Sequence, residues 1–313
     1  MDVKAPPYLR FLAVAAVLAA MASACAPPER PRAPPEQPPP SHAPDHGPPS
    51  RPPLPAPVVE GDCGAAGADA ASAENARTLE TLAWRPFGRD ELGWETYVPL
   101  IGREVGTACP PQSERFAEHL AAWQQSADRP PTGRMSEADF QVMKGRWQAR
   151  RPFVRLAARG ACPPPRAETS LATAKAEEGY GGKVVRLRPG ALDAYRRMVA
   201  AAHDEAPAAF ADRNAFTIFS AFRSPESDAE RCLREHNCDG VRRATCSPHR
   251  TGLALDLYVG AAPGFGPDSS AAPNRRHQTT TGAYLWLVKN ADRFGFVNYP
   301  FEPWHWEWTG EAP

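Results

Sequence analysis

Two histidines and two carboxylates stand at positions from which they could build a hydrolytic metal site. His249 precedes a predicted strand, and Asp256 falls on the strand face opposite the alternating leucines. A turn at Gly252 can bring His249 round towards Asp256, and His305 arrives from a distant segment. Two imidazoles and one carboxylate suit Zn²⁺ and leave a fourth position for water, as in catalytic zinc sites. The pattern therefore predicts one Zn²⁺ held by His249, Asp256 and His305.

Glu302 lies three residues before His305, close enough to stand beside the metal without binding it. Its predicted role is that of a base, which takes a proton from water and hands it to the leaving amine. Each residue alone has an ordinary alternative: a hydrogen-bonded surface histidine, a turn or strand-edge carboxylate, or a solvated loop charge. The prediction of a metal-dependent hydrolase depends on their combination.

Four short motifs contain or flank these residues: SAFRS at 220–224, SPHRTGLALD at 247–256, NADRFGF at 290–296 and EPWH at 302–305. Together they resemble the VanY-type D-alanyl-D-alanine carboxypeptidases, over roughly residues 184–310. These are zinc peptidases that share a fold with lysostaphin-like enzymes and the hedgehog signalling domain. The resemblance implies that His249, Asp256 and His305 are the zinc ligands and that Glu302 is the catalytic base.

The resemblance also implies roles on the substrate side of the site. Arg223 would stabilise the polarised carbonyl or the tetrahedral oxyanion, and Ser247 would hydrogen-bond the substrate. Two positions depart from the family pattern, because Phe222 replaces the more usual Tyr and Asp228 stands where Gln is frequent. The cysteine-rich insert at 232–246 also differs from the short connection of minimal members. These departures concern specificity and leave the metal assignment intact.

The segments that must position these residues include both predicted strands and predicted helices. Residues 215–222 are β-rich and apolar on both faces, which predicts a central strand, and residues 253–259 alternate as a strand does. Residues 192–202 carry a helical stripe, and residues 284–292 are typical of a helix. The expected class is α+β, a small antiparallel sheet with flanking helices that carries the zinc site within a D,D-peptidase domain at 184–313.

A second, helical domain is predicted at 59–163, followed by a connector at 164–183. Apolar residues recur at helical spacing within 116–148, where one stripe consists of Phe116, Leu120 and Trp123. The stretch 116–148 resembles the small peptidoglycan-binding module, which implies that this domain binds the cell wall. The alternative is a purely structural helical domain, because an aromatic stripe at this spacing is more often core than ligand site.

The first 25 residues are typical of an export signal. A positive start is followed by an uncharged, mostly apolar run at 11–24, which is too short to span a membrane. The run ends in Ala-Ser-Ala-Cys, which resembles a bacterial lipobox and predicts lipidation of Cys25; the alternative is cleavage at an A-x-A site and simple secretion.

Residues 26–58 are predicted to be a disordered linker, since 15 of the 33 are proline. The expected location is the cell envelope, with a membrane anchor on Cys25 and the domains facing the periplasm or wall.

Composition agrees with export and argues against nucleic-acid binding. Lys plus Arg and Asp plus Glu number 36 each, so the basic surplus of a nucleic-acid binder is missing. Six cysteines follow Cys25, and an oxidising compartment favours their pairing in disulfides. Three of them, Cys232, Cys238 and Cys246, crowd one polar segment, which predicts at least one local bridge there.

The sequence thus predicts an exported zinc peptidase that hydrolyses peptidoglycan stem peptides, with the terminal D-Ala–D-Ala amide as the favoured bond. A D,D- or L,D-endopeptidase with the same site is the first alternative, because the sequence does not show whether the pocket is closed or open. A non-catalytic wall-binding lipoprotein is the alternative from another class. Its hallmark would be loss of the base or of a ligand, whereas Glu302 and all three ligands are present.

Overall fold

Helices and short strands alternate along residues 63–67, 69–157, 162, 164–234 and 246–312, which are the part of the chain that this computed structural model describes. Its helices are, in chain order, α1 (Ala70–Thr78), α2 (Val98–Val105), α3 (Glu114–Ser126), α4 (Glu137–Ala149), α5 (Pro152–Ala157), α6 (Pro189–Glu205), α7 (Pro225–Arg234), α8 (Ala272–Thr279) and α9 (Gly282–Asn290). Its strands are β1 (Ala83–Trp84), β2 (Glu91–Leu92), β3 (Ala172–Thr173), β4 (Arg186–Leu187), β5 (Ile218–Ser220), β6 (Ala254–Leu257), β7 (Phe296–Tyr299) and β8 (Glu302–Trp308). The predicted α+β class is confirmed, whereas the export signal, Cys25, the Pro-rich linker and Cys238 lie outside the described residues.

A four-stranded antiparallel sheet, in the order β5-β6-β8-β7, is the platform of the C-terminal region. Its register pairs Ser220 of β5 with Asp256 of β6, and Asp256 with His305 of β8. Three polar side chains from separate segments therefore stand in one row across three strands. Two further pairs of strands, β1-β2 and β3-β4, are antiparallel and two residues long.

The prediction of a central strand at 215–222 was wrong. The observed strand, β5, covers three residues and lies at the edge of the sheet. It is nevertheless buried on both faces, and a neighbouring segment covers its free edge: Gly179 bridges Ile218 in parallel, and the Lys183 ammonium donates to the Phe219 carbonyl at 2.8 Å. An edge strand covered in this way carries the same two-sided apolar pattern as a central one.

The core beneath the sheet is built from α6, α9 and the inward faces of the strands. Leu192, Tyr195 and Ala202 of the predicted stripe are buried on α6, and the Tyr195 hydroxyl donates to the Phe216 carbonyl at 3.1 Å. The predicted helix at 284–292 is present as α9 with a 3₁₀ turn after it. That turn ends at Gly295, whose φ is +84°. This packing buries the inward face of the sheet.

Residues 63–157, called the helical segment below, have a core of their own that includes Trp94, Phe116, Leu120 and Phe140. Ser136 begins α4 by accepting a hydrogen bond from the Asp139 amide, as an N-cap does. The Phe116, Leu120 and Trp123 stripe is buried in this core. Its aromatic rings therefore stabilise the segment, and wall binding through residues 116–148 stays a prediction.

The helical segment packs directly against the C-terminal region. The Arg275 guanidinium, 2% exposed, donates to the Tyr97 hydroxyl at 2.5 Å and pairs with Glu91 at 3.2 Å. The Arg103 side chain pairs with Asp292 and donates to the Val288 carbonyl. Both contacts fall within one compact unit of the chain.

Two disulfides join Cys63 to Cys109 and Cys162 to Cys246, and Cys232 is disulfide-bonded as well. Cys246 therefore pairs outside the cysteine-rich insert, and its bridge fixes the chain one residue before Ser247. Within the described ranges, no helix is both long enough and apolar enough to cross a bilayer.

Candidate metal centre and active-site cleft

His249, Asp256 and His305 converge on one point. The Asp256 carboxylate lies 2.9 Å from His305 Nδ1 through one oxygen and 3.3 Å from His249 Nε2 through the other. One ligand atom from each residue can be chosen so that all three lie within 4.8 Å of one another, and all three side chains are buried. The predicted ligands are thus brought together by the fold.

Local structure explains how His249 reaches the sheet. The Ser247 hydroxyl accepts the His249 amide at 3.2 Å and so caps the 3₁₀ turn Pro248–Thr251. Gly252 follows with φ +68°, a conformation that L side chains rarely adopt, and a Cβ there would lie 3.0 Å from Leu171. The predicted turn at Gly252 is therefore present, and it feeds the chain into β6.

Each imidazole is oriented by a hydrogen bond on its other nitrogen. His249 Nδ1 lies 2.7 Å from the Ala221 carbonyl, so Nδ1 carries the hydrogen and Nε2 turns to the common point. His305 Nε2 lies 3.4 Å from the Glu307 carboxylate, so Nδ1 is the nitrogen that faces Asp256. Both rings thus turn one nitrogen to the common point beside a carboxylate, and once His305 Nδ1 has lost its hydrogen this donor set fits a zinc ion.

Burial and neighbouring charges lower the pKa values of His249 and Asp256 and raise that of His305. Burial, with Arg223 adding to it, lowers the pKa of His249 to about 4. Burial alone would also lower the pKa of His305, but the bonds to Asp256 and Glu307 raise it to about 9. Burial would raise the pKa of Asp256, but the facing imidazoles hold it well below its ordinary value. Without metal, the proton of the site therefore resides on His305.

Glu302 begins β8 and stands beside the three ligands rather than among them. Its carboxylate lies 4.0 Å from His305 Nδ1, and its side chain keeps 32% of its surface exposed to the cleft. Burial raises the pKa of Glu302, an effect that the neighbouring His305 partly offsets. A carboxylate with a raised pKa that faces solvent beside the ligands suits a general base.

Arg223 is held beside Asp256 by three hydrogen bonds. Its guanidinium donates to Asp228 at 2.9 Å, to the Ser220 hydroxyl at 2.7 Å and to the Ser247 hydroxyl at 3.1 Å. Its Nη1 lies 3.8 Å from an Asp256 oxygen, which places a fixed positive charge at the metal centre. Ser247 thus contacts Arg223 and caps the His249 turn, and its contact with substrate stays a prediction.

A cleft of about 530 Å³ opens over these residues. One wall comes from the C-terminal region and includes Arg223, Arg231 and Trp304. The facing wall comes from the helical segment, namely from the β1-β2 hairpin and from α5 with the residue before it; its residues are Phe87, Gly88, Arg89, Arg151, Phe153, Val154 and Ala157. The cleft is therefore a joint product of the two parts of the chain.

Two charged residues near the site were missed by sequence reasoning. Glu307 is 1% exposed beside His305, and its pKa, which burial would raise, is lowered to about 2 chiefly by Arg151. The signal for Glu307 was available, because residues two apart on a strand share a face. Arg151 carries no comparable signal, since its partner lies 156 residues away along the chain.

The comparison with protein families agrees with the motifs. A family model described as VanY, D-alanyl-D-alanine carboxypeptidase, matches residues 184–311. This match confirms the predicted resemblance over the C-terminal region, and the helical segment lies outside it. No protein of curated function matches the chain.

Three solved structures are similar to parts of this chain. The LdcB LD-carboxypeptidase is 23% identical with a TM-score of 0.30, and the match covers 40% of this chain and 60% of that one. VanYB in complex with D-alanine-D-alanine is 21% identical with a TM-score of 0.28, covering 47% and 82%. A mutant of the vancomycin-resistance D,D-pentapeptidase VanY in complex with Zn(II) has the same identity and TM-score, covering 47% and 83%. This chain thus spans less than two thirds of the LdcB chain.

Proposed function

We propose that this protein, whose residues 184–311 match the VanY family model, is a zinc peptidase that removes the terminal residue from D-alanyl-D-alanine ends of peptidoglycan stem peptides. The observation that carries the proposal is the buried cluster of His249, Asp256 and His305 with the Glu302 carboxylate 4.0 Å from one ligand nitrogen. A structural metal site has no use for a carboxylate placed beside it in a solvent-open cleft.

His249 Nε2, an Asp256 oxygen and His305 Nδ1 would hold the ion. Bound Zn²⁺ would supply Lewis acidity, which lowers the pKa of water and polarises the scissile carbonyl. Glu302 takes one proton from the attacking water and delivers it to the leaving amine as the C–N bond breaks. The base thereby returns to its ionised form at the end of the cycle, so protons balance.

Arg223 supplies fixed positive charge where negative charge develops. Its three hydrogen bonds hold the guanidinium before substrate arrives, so little reorganisation accompanies the reaction. Because its planar fork already uses donors on Asp228, Ser220 and Ser247, the remaining N–H groups and the charge act on the substrate carbonyl oxygen or on the terminal carboxylate. A kcat loss on substitution of Arg223 indicates the first role, and a KM increase indicates the second.

The charges of the cleft favour a carboxypeptidase over an endopeptidase. Arg89, Arg223 and Arg231 line it beside the carboxylates Asp228 and Asp268, which pair with Arg223 and Arg231. A substrate that ends in a free carboxylate would be a further partner for these guanidinium groups. An endopeptidase substrate has a neutral amide at that place. The proposal for the terminal D-Ala–D-Ala bond rests on this complementarity.

One experiment separates the three functions. The purified protein, loaded with zinc, is incubated separately with a muropeptide that ends in D-Ala–D-Ala and with a cross-linked muropeptide dimer. Mass spectrometry then measures the masses of the products. Loss of one alanine supports the proposal, and cleavage within the stem or the cross-link replaces it with the endopeptidase. No product from either substrate at full zinc occupancy leaves the non-catalytic wall-binding protein.

Attachment to the cell envelope is a second part of the proposal. Lipidation of Cys25 would fix the chain to a membrane, and the Pro-rich residues 26–58 would hold the peptidase away from it. Labelling with a radioactive fatty acid in a bacterial host should mark the wild-type chain and should not mark Cys25→Ser. Equal labelling of both would reject the anchor and leave simple secretion.

A further inference from the structure

Glu307 forms a buried link between a predicted zinc ligand and the helical segment. One of its carboxylate oxygens lies 3.4 Å from His305 Nε2, and the same oxygen accepts from Arg151 Nη2 at 2.5 Å and Nε at 2.7 Å. Its other oxygen accepts the Phe153 amide at 3.0 Å. Glu307 is 1% exposed and Arg151 is 5% exposed, so neither charge is solvated by bulk water.

In this link Glu307 orients His305, and Arg151 stabilises Glu307. Glu307 can only accept, so His305 Nε2 carries the hydrogen between them, while Nδ1 faces Asp256. A carboxylate behind a ligating imidazole fixes the ring orientation and its tautomer. Such a carboxylate, buried without a cation, would itself be unstable, and Arg151 is the cation that contacts it.

Arg151 is in turn held in place from two sides. Its Nη1 donates to the Gln148 side chain at 2.6 Å, and its guanidinium carbon lies 4.2 Å from the centre of the Tyr299 ring. Gln148 belongs to α4, and Arg151 lies between α4 and α5. The end of α4 and the start of α5 therefore determine the position of the Arg151 guanidinium.

We propose that Arg151 is a positioning residue for the metal centre, acting through Glu307 on His305. The helical segment, which lies outside the region matched by the family model, thereby sets the zinc affinity of the site. This inference rests on the zinc site of the proposed function, but it does not depend on which peptide bond is cleaved.

The test measures zinc affinity by competition with a chromogenic chelator, on the full-length protein and its variants. Arg151→Gln should weaken zinc binding roughly 10- to 100-fold, the usual effect of losing an outer partner of a metal ligand. Arg151→Lys keeps the charge and should recover part of that loss. In the Co²⁺-substituted protein, the visible absorption bands should shift in Arg151→Gln, because they report the orientation of His305.

A matched control removes another arginine of the helical segment that contacts the C-terminal region. Arg103 donates to the Val288 carbonyl and pairs with Asp292, and neither partner lines the cleft. Arg103→Gln should lower the free energy of unfolding and leave zinc affinity and the Co²⁺ spectrum unchanged. This control separates loss of packing from loss of ligand positioning.

A double variant keeps the test decisive if Arg151→Gln fails to fold. Arg151→Met with Glu307→Gln removes both charges together, so no buried charge is left unpaired. Weakened zinc binding in this folded double variant supports the link through Glu307 to His305 on which the proposal depends, and wild-type affinity in any folded Arg151→Gln or double variant overturns the proposal. Zinc binding without peptide hydrolysis would reject the proposed function alone, and a wild-type protein that binds no zinc would reject both.

Discussion

At the scale of single residues, the site depends on how four neighbouring groups divide charge and protons. Asp256 is held ionised, His249 neutral and His305 protonated when no metal is present. Glu302 stands 4.0 Å from His305 and keeps an exposed edge towards the cleft. Asp256 and His249 can thus bind metal as they stand, His305 can bind it after losing a proton to solvent, and Glu302 is left to move protons during the reaction.

Glu302→Gln should separate catalysis from metal binding. The amide keeps the size of the side chain and accepts hydrogen bonds, but it cannot take the proton of water. Turnover of the D-Ala–D-Ala muropeptide should fall by about 10²–10⁴-fold, while zinc content stays at the wild-type level. Elemental analysis and steady-state kinetics on the same sample check this. Near wild-type turnover at full zinc occupancy would leave the base unidentified.

Zinc binding at neutral pH should release about one proton, because the ligand His305 must lose its hydrogen on Nδ1 before that nitrogen can bind metal. The pKa of His305 is raised to about 9, so the ring is protonated at neutral pH in the metal-free protein. His249 has a pKa near 4 and contributes no proton there. Zinc affinity should accordingly rise with pH up to about 9.

Titration calorimetry of the metal-free protein in two buffers of different ionisation enthalpy counts the released protons. The same titration repeated above the pKa of His305 is the control, since the release should vanish there. Equal apparent enthalpies in the two buffers at neutral pH would contradict the protonation of His305.

At the scale of elements, strand register and one turn assemble the site. The pairing of β6 with β8 places Asp256 opposite His305, and the two-residue repeat of β8 places Glu307 on the same face as His305. His249 is not on a strand, and its place depends on the 3₁₀ turn and on Gly252 after it. A change at that turn should move one ligand relative to the other two.

Gly252→Ala should lower both the free energy of unfolding and zinc affinity. Its φ is +68°, which is unfavourable for alanine by about 1–2 kcal/mol. The new Cβ would also lie 3.0 Å from Leu171 and 3.3 Å from Arg188. Gly264→Ala is the matched control, because its φ is +84° but its Cβ would meet no atom within 4 Å.

Denaturant unfolding and chelator competition measure the two effects. Gly264→Ala should lower the free energy of unfolding only by the cost of placing alanine at a positive φ. It should bind zinc as the wild type does. If Gly252→Ala also kept wild-type zinc affinity, the turn would not be what positions His249.

At the scale of the whole molecule, the helical segment is part of the site rather than an appendage. It supplies one wall of the cleft and the guanidinium behind Glu307. The buried contact of Arg275 with Tyr97 and Glu91 holds the β1-β2 side of the segment against the C-terminal region. A cleft built from two parts can be specific for a substrate that neither part would bind alone.

Arg89→Ala should raise KM with little change in kcat. Arg89 lines the cleft from the turn between β1 and β2, and its guanidinium lies 5.1 Å from the centre of the ring of Phe301, the residue before β8. It is thus placed to bind the terminal carboxylate of the substrate, whose charge is the same in the ground state and in the transition state. Arg77→Ala is the control, because Arg77 is an exposed arginine of α1 paired with Glu74. A fall in kcat with unchanged KM would assign Arg89 a different role.

Much of the chemistry was readable from local pattern. Alternation along 253–259 set Asp256 apart from the leucines, and the spacing of Glu302 and His305 predicted a base beside a ligand. The amphipathic stripes of α3 and α6 are also local, since helical spacing determines which side chains share a face. These features follow from neighbours in sequence, whose geometry the backbone itself constrains.

The rest was decided by contacts between distant parts of the chain. The sequence of β5 has the apolar pattern of a central strand although β5 lies at the sheet edge. The reason is that both of its faces are buried and its edge is covered, and burial selects apolar residues wherever a strand lies in a sheet. The pairing of Cys246 with Cys162, the cleft wall around Arg89 and the contact of Arg151 with Glu307 join segments far apart in sequence. The sequence by itself determined the class of fold and which residues are proposed as metal ligands and base. Only the tertiary structure decided what surrounds them, because burial and ion pairing of this kind exist only once remote segments have packed together.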